Sequence, residues 1–406
     1  ICFIKDADMK YIIMLGDGMA DYPEGPLGGK TPLELAKKPT IDYLAKNGVV
    51  GLIRTVPMGM KPGSDIANLS VMGYDPKSVY TGRSPLEALS IGVKMTETDI
   101  ALRVNLVTLS DEEDFSQKTM VDYSSGEIST SEAKQLINDI QKALGDDRFT
   151  FYGGVSYRHC LIDSKGSLTV DFTPPHDISG RKIGEYLPKG EGSEVFLALM
   201  EKSTKILQNH PVNQKRKAEG KKQANCIWFW GAGTKPNLPS FEQTFGLKGS
   251  VISAVDLLKG IAKGAGMTSL DIEGATGNLD TNFSGKAQGA VELLKTHDFV
   301  YIHIEAPDEC GHQGDAENKI LAIEKVDWVT KYILDELNAA GECYVIAVLP
   351  DHATPLVLKT HTGDPVPFLV YRSDGKEKSN LIFTEKEAAK GIFLENGKDL
   401  LPFMLK

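Results

Sequence analysis

Acidic and imidazole side chains follow three apolar runs of the sequence, at points where buried strands are expected to end. Open α/β sheets place ligand sites outside the carboxyl ends of their strands, so we expect these side chains to converge. Carboxylate and imidazole groups together suit divalent ions such as Mn²⁺, Zn²⁺ or Mg²⁺, without any need for a thiolate. The candidate metal ligands are Asp17, Asp308, His312, Asp351, His352 and His361.

Each fragment of this set also has an ordinary explanation. A carboxylate in a Gly-Asp-Gly turn is often structural, Asp351 could cap a helix, and Asp308 with His312 could be neighbours on a helix surface. Pro307 and Gly311 make a regular helix less expected at that place and favour a ligand-bearing loop. It is the recurrence of such fragments at strand ends that favours a metal site.

A candidate nucleophile lies at Ser64, which follows the turn Lys61-Pro-Gly at a place where a helix is expected to begin. The simple alternative is that this serine caps the helix. As a nucleophile, its alkoxide would be stabilised by the helix dipole, and coordination to a metal ion would activate the hydroxyl.

The sequence patterns predict two domains of different fold class around these residues. Short apolar runs alternate with helical patterns at both ends of the chain, which indicates an α/β domain with a largely parallel sheet. The middle of the chain has shorter, more polar and more β-branched runs, which indicates an inserted α+β domain. We therefore expect a discontinuous metal-binding domain over 9–76 and 223–406, and an insert over 77–222.

Two stretches, Thr31–Glu34 and Ser84–Glu87, carry the signature of a helical capping box. The first of them overlaps a glycine-rich stretch, Gly25–Thr31, that resembles a nucleotide-binding loop. Its glycines are one residue too close together for that motif, so we expect no nucleotide to bind there.

Composition excludes several classes of function. A net charge of −10 argues against nucleic acid as the main partner, and no apolar run approaches the roughly 20 residues that span a bilayer. The five cysteines are scattered without a Cys-x-x-Cys motif, which is typical of free thiols in a reducing compartment. We expect a cytoplasmic protein, with residues 1–8 as an extension outside the fold and the natural start at Met9.

Six motifs, in their order and spacing, resemble the cofactor-independent phosphoglycerate mutases of the archaeal type, in the alkaline phosphatase superfamily. The resemblance covers nearly the whole chain from Met9. It implies an alkaline-phosphatase-like α/β domain that carries two metal ions and the serine, with an inserted domain that closes over the substrate. The motifs are GDGMAD (16–21), PGSDIANLSVMGYDP (62–76), YTGRSPLEALSIG (80–92), APDECGHQGD (306–315), LPDHATP (349–355) and KTHTGDPVPF (359–368).

The resemblance also implies roles for the candidate residues. Ser64 would take the phosphoryl group from 3-phosphoglycerate and return it to the other hydroxyl of glycerate as 2-phosphoglycerate, with no nucleotide and no 2,3-bisphosphoglycerate. Mn²⁺ is the first expectation for the two divalent ions, and Zn²⁺, Co²⁺ and Mg²⁺ are alternatives. One ion would be held by Asp308, His312 and His361, and the other by Asp17, Ser64, Asp351 and His352.

Basic side chains should bind the phosphate and carboxylate of a small phosphorylated substrate, and arginine is favoured for its bidentate geometry. Any single basic residue proposed for this role could instead be an ordinary surface residue. The adjacent pair Arg158-His159 is the strongest candidate for binding the substrate. The bacterial and plant mutases carry an Arg-Asp pair before a Thr-Pro-Pro segment, whereas this chain has Asp171-Phe, so insert contacts cannot be copied from them. The candidates are Arg83, Arg103, Arg158, His159, His176 and Arg216.

Two other functions stay open at this point. A branch resembling the archaeal mutases has been proposed to phosphorylate homoserine with the same metal and serine machinery and a different acceptor specificity. A non-catalytic metal-binding protein is the third hypothesis, which the full set of ligand positions disfavours. The sequence predicts neither a nucleic-acid nor a membrane partner, and it leaves the oligomeric state open.

Overall fold

A computed structural model describes residues 9–406, so the expected extension at 1–8 lies outside the described residues. The chain divides into two compact units. The first unit runs to Tyr80 and resumes at Asn237, and the second unit spans Thr81–Pro236. No helix among residues 9–406 is long and apolar enough to cross a membrane.

Helices and strands are interspersed throughout residues 9–406. The first segment of the first unit contains β1 (Met9–Gly16), α1 (Pro32–Leu35), α2 (Pro39–Lys46), β2 (Val49–Ile53), α3 (Ser64–Val71) and α4 (Pro76–Val79). The second unit contains α5 (Arg83–Ser90), β3 (Ile100–Leu109), β4 (Met120–Asp122), α6 (Thr130–Leu144), β5 (Phe149–Val155), β6 (Arg158–Asp163), β7 (Val170–Asp171), β8 (Lys189–Gly190), α7 (Ser193–Leu207), α8 (Pro211–Ala218) and β9 (Cys226–Thr234). The first unit then continues with α9 (Phe241–Phe245), β10 (Gly249–Ile252), α10 (Asp256–Gly264), β11 (Thr268–Ser269), α11 (Phe283–Leu294), β12 (Phe299–Ile304), α12 (Ala306–Gln313), α13 (Ala316–Ala340), β13 (Cys343–Leu349), β14 (Val366–Arg372), α14 (Glu385–Ala388), β15 (Ile392–Leu394) and α15 (Leu400–Met404).

The sheet of the first unit has eight strands in the order β11-β10-β12-β1-β13-β14-β2-β15. Strands β10, β12, β1 and β13 run parallel, and β14 is antiparallel to both of its neighbours. Every residue of β12 and β13 is buried, because helices cover parallel sheets on both faces. The carboxyl ends of β12, β1 and β13 are therefore adjacent at one edge of the sheet, and the predicted α/β class is confirmed.

The second unit is built on a smaller antiparallel sheet, on which α6 and α7 pack. Strand β3 pairs with β4, β6 and β9, and the apolar core includes Trp228 and Phe229. The sequence assigned residues from 223 onward to the metal-binding domain, whereas the structure places β9 in the sheet of the second unit. The β9 run is apolar because its first four side chains, Cys226–Phe229, are buried in the core of the second unit.

Helix α12 corrects the expectation of a ligand-bearing loop. Pro307 lies in its first turn, where a helix has no need of the missing N–H. Gly311 is required by close packing, because a Cβ there would lie 2.6 Å from the carbonyl oxygen of Thr354. Pro307 is therefore compatible with the helix because of its position in the first turn, and Gly311 because of its packing against Thr354.

The two predicted capping boxes have different outcomes. The first is confirmed at Thr31 and Glu34, which satisfy one another at the start of α1. The second is wrong, because Gly82 is the N-cap of α5 and Glu87 pairs with arginine side chains instead.

The expectation of free thiols holds for three cysteines and fails for a fourth. Cys160, Cys226 and Cys310 are free and buried. Cys343 is disulfide-bonded, so the scattered spacing did not predict the state of every cysteine.

A buried polar network joins α13, α14 and the segment after β1. Lys319 Nζ lies 2.7 Å from Asp21 Oδ2 and also donates to the carbonyl oxygens of Ala20 and Thr354. Glu385 accepts hydrogen bonds from the backbone N–H of Asp21 at 3.0 Å and from the hydroxyl of Thr31 at 2.7 Å. Burial raises the pKa of Glu385 from 4.5 to about 7.

This shift predicts a pH dependence of stability. Because the folded-state pKa of Glu385 is higher than 4.5, the unfolded chain loses this proton first, and the group's contribution to stability falls as the pH rises from about 4.5 to about 7. Glu385→Gln removes that loss, so thermal unfolding at pH 8 should occur a few degrees higher than in the wild type, with little difference at pH 4.5. Glu387→Gln, also on α14, is the control and should show no such trend. Equal effects of Glu385→Gln at both pH values would contradict the assignment.

Candidate functional site

Asp308, His312 and His361 form the first of two clusters at the carboxyl edge of the large sheet. Their ligand atoms lie within 4.8 Å of one another. Asp308 and His312 are one turn apart on α12, and His312 Nε2 lies 3.2 Å from Asp308 Oδ2. His361 comes from the loop between β13 and β14, and its Nε2 lies 2.9 Å from His312 Nε2 and 3.4 Å from Asp308 Oδ1.

Neighbouring groups orient this cluster. His312 Nδ1 lies 2.9 Å from the carbonyl oxygen of Lys359, so this nitrogen carries a hydrogen and the ring is oriented with Nε2 toward the cluster. The hydroxyl of Thr354 donates to Asp308 Oδ1. Burial alone would raise the pKa of Asp308, but hydrogen bonds with His312 and His361 hold it well below its usual range.

Asp17, Asp351 and His352 form the second cluster, and all three are buried. His352 Nε2 lies 3.6 Å from Asp17 Oδ1, 3.4 Å from Asp351 Oδ2 and 3.2 Å from the hydroxyl oxygen of Ser64. Asp17 Oδ1 is buried and has no hydrogen-bond partner among the described residues. Burial and then the charges of Asp351 and Asp308 raise the pKa of Asp17 well above its usual range.

The donor set of the two clusters fits divalent cations. Asp17 and Asp351 are two buried carboxylates beside the imidazole of His352, and one oxygen of Asp17 has no hydrogen-bond partner among the described residues. Burying this negative charge is costly unless a positive charge offsets it. The rings of His352 and His361 stack with centroids 3.9 Å apart, so the two clusters are neighbours. The arrangement therefore brings together two adjacent groups of oxygen and imidazole atoms of the kind that divalent cations bind.

Glycine makes the first ligand segment possible. Gly18 follows Asp17 with φ +63°, and a Cβ there would lie 2.7 Å from Asp308 Oδ1. Its backbone N–H points at Asp351 Oδ1, 3.3 Å away. A side chain at this position would separate the ligand-bearing segments, so the Gly-Asp-Gly motif is a packing requirement.

Ser64 is the first residue of α3, and Gly63 is the N-cap. The structure therefore does not give Ser64 the capping role that was its simple alternative. Its half-buried hydroxyl lies at the positive end of the helix, beside His352. A hydroxyl placed between a helix N-terminus and a cation site is suited to nucleophilic attack.

The second unit contains a separate basic cluster around Glu87. Arg83 Nε and Arg103 Nη1 each lie 2.8 Å from Glu87 Oε1. Burial would raise the pKa of Glu87, but the charges of Arg103, Arg83 and then Arg158 lower it. One carboxylate shared among three guanidinium groups leaves an excess of positive charge, which suits an anion.

Aromatic rings line this basic cluster. The Arg103 guanidinium lies 4.9 Å from the centre of the Trp230 ring, and the His176 ring lies 5.1 Å from the same ring. Arg158 is exposed and lies 5.6 Å from the Tyr157 ring. Four of the six residues predicted to bind substrate are thus associated with this cluster, namely Arg83, Arg103, Arg158 and His176.

The other two predicted substrate residues have different surroundings. His159 is buried, its Nδ1 accepts from the backbone N–H of Gly154, and burial and then the charge of Arg103 lower its pKa to about 3. Arg216 is buried on α8 and has partners other than Glu87. Its guanidinium donates to Glu132 and to the carbonyl oxygens of Ser125 and Lys222, so it has a structural role.

Sequence reasoning missed residues that support the ligands. Asn68 lies one helical turn after Ser64 and donates to Asp351, and helical spacing could have indicated it. Thr354, two residues after His352, has no distinguishing pattern. Glu87 follows Arg83 at the i, i+4 spacing of a helical ion pair, and the capping-box signature concealed that pairing.

Comparisons with known proteins give consistent relationships. The family model described as 2,3-bisphosphoglycerate-independent phosphoglycerate mutase matches residues 45–213, and that described as type I phosphodiesterase / nucleotide pyrophosphatase matches residues 182–366. A Geobacter sulfurreducens protein named probable 2,3-bisphosphoglycerate-independent phosphoglycerate mutase is 50% identical over 402 residues, covering 98% of this chain and 100% of the relative. A Methanosarcina barkeri mutase is 48% identical over 403 residues, with the same coverage of 98% and 100%.

Two solved structures are similar over nearly the whole chain. The PH0037 protein from Pyrococcus horikoshii is 33% identical with a TM-score of 0.80, covering 98% of this chain and 97% of that chain. A cofactor-independent phosphoglycerate mutase from Thermoplasma acidophilum is 26% identical with a TM-score of 0.66, covering 98% and 99%.

Arg216, which is buried and fully paired, and Arg158, which is exposed, should contribute differently to the stability of the fold. Arg216→Met leaves Glu132 and two backbone carbonyls without their partner, and should lower the free energy of unfolding by about 2–4 kcal/mol. Arg158→Met removes an exposed guanidinium and should change it by less than about 0.5 kcal/mol. Urea unfolding followed by circular dichroism compares the two, and similar small effects for both variants would show that Arg216 is not structural.

Proposed function

Because the chain belongs to the 2,3-bisphosphoglycerate-independent phosphoglycerate mutases, within the alkaline phosphatase superfamily, we propose that it interconverts 3- and 2-phosphoglycerate. It is an isomerase of the intramolecular phosphotransferase type. The observation that carries the proposal is the hydroxyl of Ser64 beside two neighbouring acidic and imidazole clusters, in a chain half identical to a named mutase. Neither a nucleotide nor 2,3-bisphosphoglycerate takes part.

The metal ligands of the proposal are those expected from the sequence. Asp308, His312 and His361 would hold one divalent ion, and Asp17, Ser64, Asp351 and His352 would hold the other. The buried unpartnered oxygen of Asp17 and the mixed donor set support this assignment. When bound, such ions neutralise charge on a transferring phosphoryl group and favour the ionised form of a hydroxyl. Mn²⁺ is the first candidate, and Zn²⁺, Co²⁺ and Mg²⁺ suit the same ligands.

Ser64 does the covalent chemistry in this proposal. Its hydroxyl oxygen attacks phosphorus as the bond to O3 of 3-phosphoglycerate breaks, which gives phosphoserine and glycerate, and the proton of Ser64 passes to O3. The 2-hydroxyl of glycerate then attacks the same phosphorus as the bond to Oγ breaks, and its proton returns to Ser64. The position of Ser64 at the start of α3 directs backbone N–H groups and the positive end of the helix toward the anionic group.

The basic cluster of the second unit is the proposed anchor for the anionic groups of the substrate. Arg83, Arg103 and Arg158 offer more positive charge than Glu87 neutralises, and His176 adds a further polar group. Glycerate must be retained between the two transfers, because attack of water on phosphoserine would turn the isomerase into a phosphatase. We propose the cytoplasm as the location, since the substrate named for the relatives is a small phosphorylated molecule.

The reaction is tested with the purified enzyme. With Mn²⁺ and no ATP, 3-phosphoglycerate should be converted to 2-phosphoglycerate, a chelator should abolish the conversion, and added Mn²⁺ should restore it. Phosphorus NMR distinguishes the two isomers directly. Failure to exceed the chelated control, together with phosphorylation of homoserine in a second assay that supplies ATP as the phosphoryl donor, would replace the mutase assignment with the homoserine alternative.

Ser64→Ala tests the nucleophile. Without the hydroxyl, mutase activity should fall by at least about a thousandfold, because no covalent intermediate can form. No phosphoenzyme should be trapped from labelled substrate by rapid acid quenching, while the variant still binds metal ions. Ser78→Ala, an exposed serine of the same unit, is the matched control. Labelled phosphate on the Ser64→Ala protein would show that another residue is the nucleophile.

A further inference from the structure

Strand β12 has two different faces. Val300, Ile302 and Ile304 point into the apolar core of the first unit. Alternate residues of a strand point to opposite faces, so Tyr301 and His303 lie together on the other face. Both are fully buried. A polar group in such a position is costly unless its hydrogen bonds are satisfied, and the partners of these two side chains include Asp17 of the candidate site and Asn68, which contacts it.

Tyr301 acts on the site through Asn68. Its hydroxyl donates to Asn68 Oδ1, and Asn68 Nδ2 lies 2.8 Å from both Asp351 Oδ2 and the carbonyl oxygen of Ser64. The carboxylate and the carbonyl can only accept, which fixes the orientation of the amide. Asn68 therefore ties the first turn of the nucleophile helix to a ligand carboxylate, and Tyr301 holds the amide in place.

His303 acts on Asp17. Its Nε2 lies 2.8 Å from Asp17 Oδ2, and its Nδ1 lies 3.2 Å from the hydroxyl of Ser253. The Ser253 oxygen already accepts from the N–H of Val255, so its hydrogen is available for His303 Nδ1. Nε2 then carries the ring hydrogen and donates it to the Asp17 carboxylate. Asp17 is thereby anchored by one oxygen, and its other oxygen faces His352.

We propose that Tyr301 and His303 are positioning residues, which hold Asp351 and Asp17 in the orientation required by the second cation site. The inference rests on the proposed function for the identity of the ligands. Two carboxylates so close together repel one another, and the hydrogen bonds from His303 to Asp17 and from Asn68 to Asp351 oppose their separation. One strand of the parallel sheet supplies both restraints from positions two residues apart.

The test is titration of the metal-free protein with Mn²⁺ in a calorimeter, alongside steady-state kinetics. Tyr301→Phe keeps the ring and removes only the hydroxyl. It should weaken one of two Mn²⁺ sites by about tenfold or more, leave the other site unchanged, and lower kcat with less than about a twofold change in KM. His303→Leu should weaken the same site, and His303→Gln, which keeps a donor near the place of Nε2, should recover most of the affinity.

Tyr344→Phe is the matched control, because Tyr344 is also a buried tyrosine of the large sheet, and its hydroxyl bonds to Asn338. It should leave both Mn²⁺ affinities unchanged. Unchanged affinities in Tyr301→Phe and His303→Leu, or a lower melting temperature as their only effect, would overturn the inference. A wild-type protein that binds no Mn²⁺ would also overturn it. A wild type that binds two ions without isomerising phosphoglycerate would refute only the proposed function.

Discussion

Three buried carboxylates, Asp17, Asp308 and Asp351, gather at the carboxyl ends of adjacent parallel strands, and the rest of the site depends on this concentration of negative charge. Burial and mutual repulsion raise the pKa of Asp17, whereas hydrogen bonds from imidazole groups lower that of Asp308. The surrounding groups are chiefly hydrogen-bond donors and imidazoles. Divalent cations at the proposed sites would offset this negative charge, which is costly to bury without them.

Much of this arrangement could be predicted because it follows from the topology of a parallel sheet. The run before Asp351 is continuously apolar since β13 is buried on both faces, and the ligands follow the strands because the carboxyl ends lie at one edge. The helix α12 could not be predicted in the same way. The Gly311 that argued against it is required by Thr354, a contact between residues far apart in the chain.

In the second unit, less of the arrangement could be predicted from the sequence. Arginine was expected to bind anions, but the sequence could not distinguish the arginines of the basic cluster from Arg216, which lies in a charged run and is buried by its own partners. What distinguishes the arginines of the basic cluster is Glu87 on α5, whose carboxylate pairs with both Arg83 and Arg103. A side chain that gathers several partners through space is not visible in local spacing. Tyr301 was missed for the same reason, because its contact with Asn68 joins residues far apart in the chain.

The antiparallel direction of β14 has a consequence for the kinetics of the site. Because β14 returns from the edge at which β13 ends, the connection between them stays at that edge and carries His352, Thr354 and His361 together. This one loop contributes ligands to both proposed cation sites. A single local opening of the loop would loosen both sites at once, so the two ions would exchange with solvent as a coupled pair even though their ligand sets are distinct.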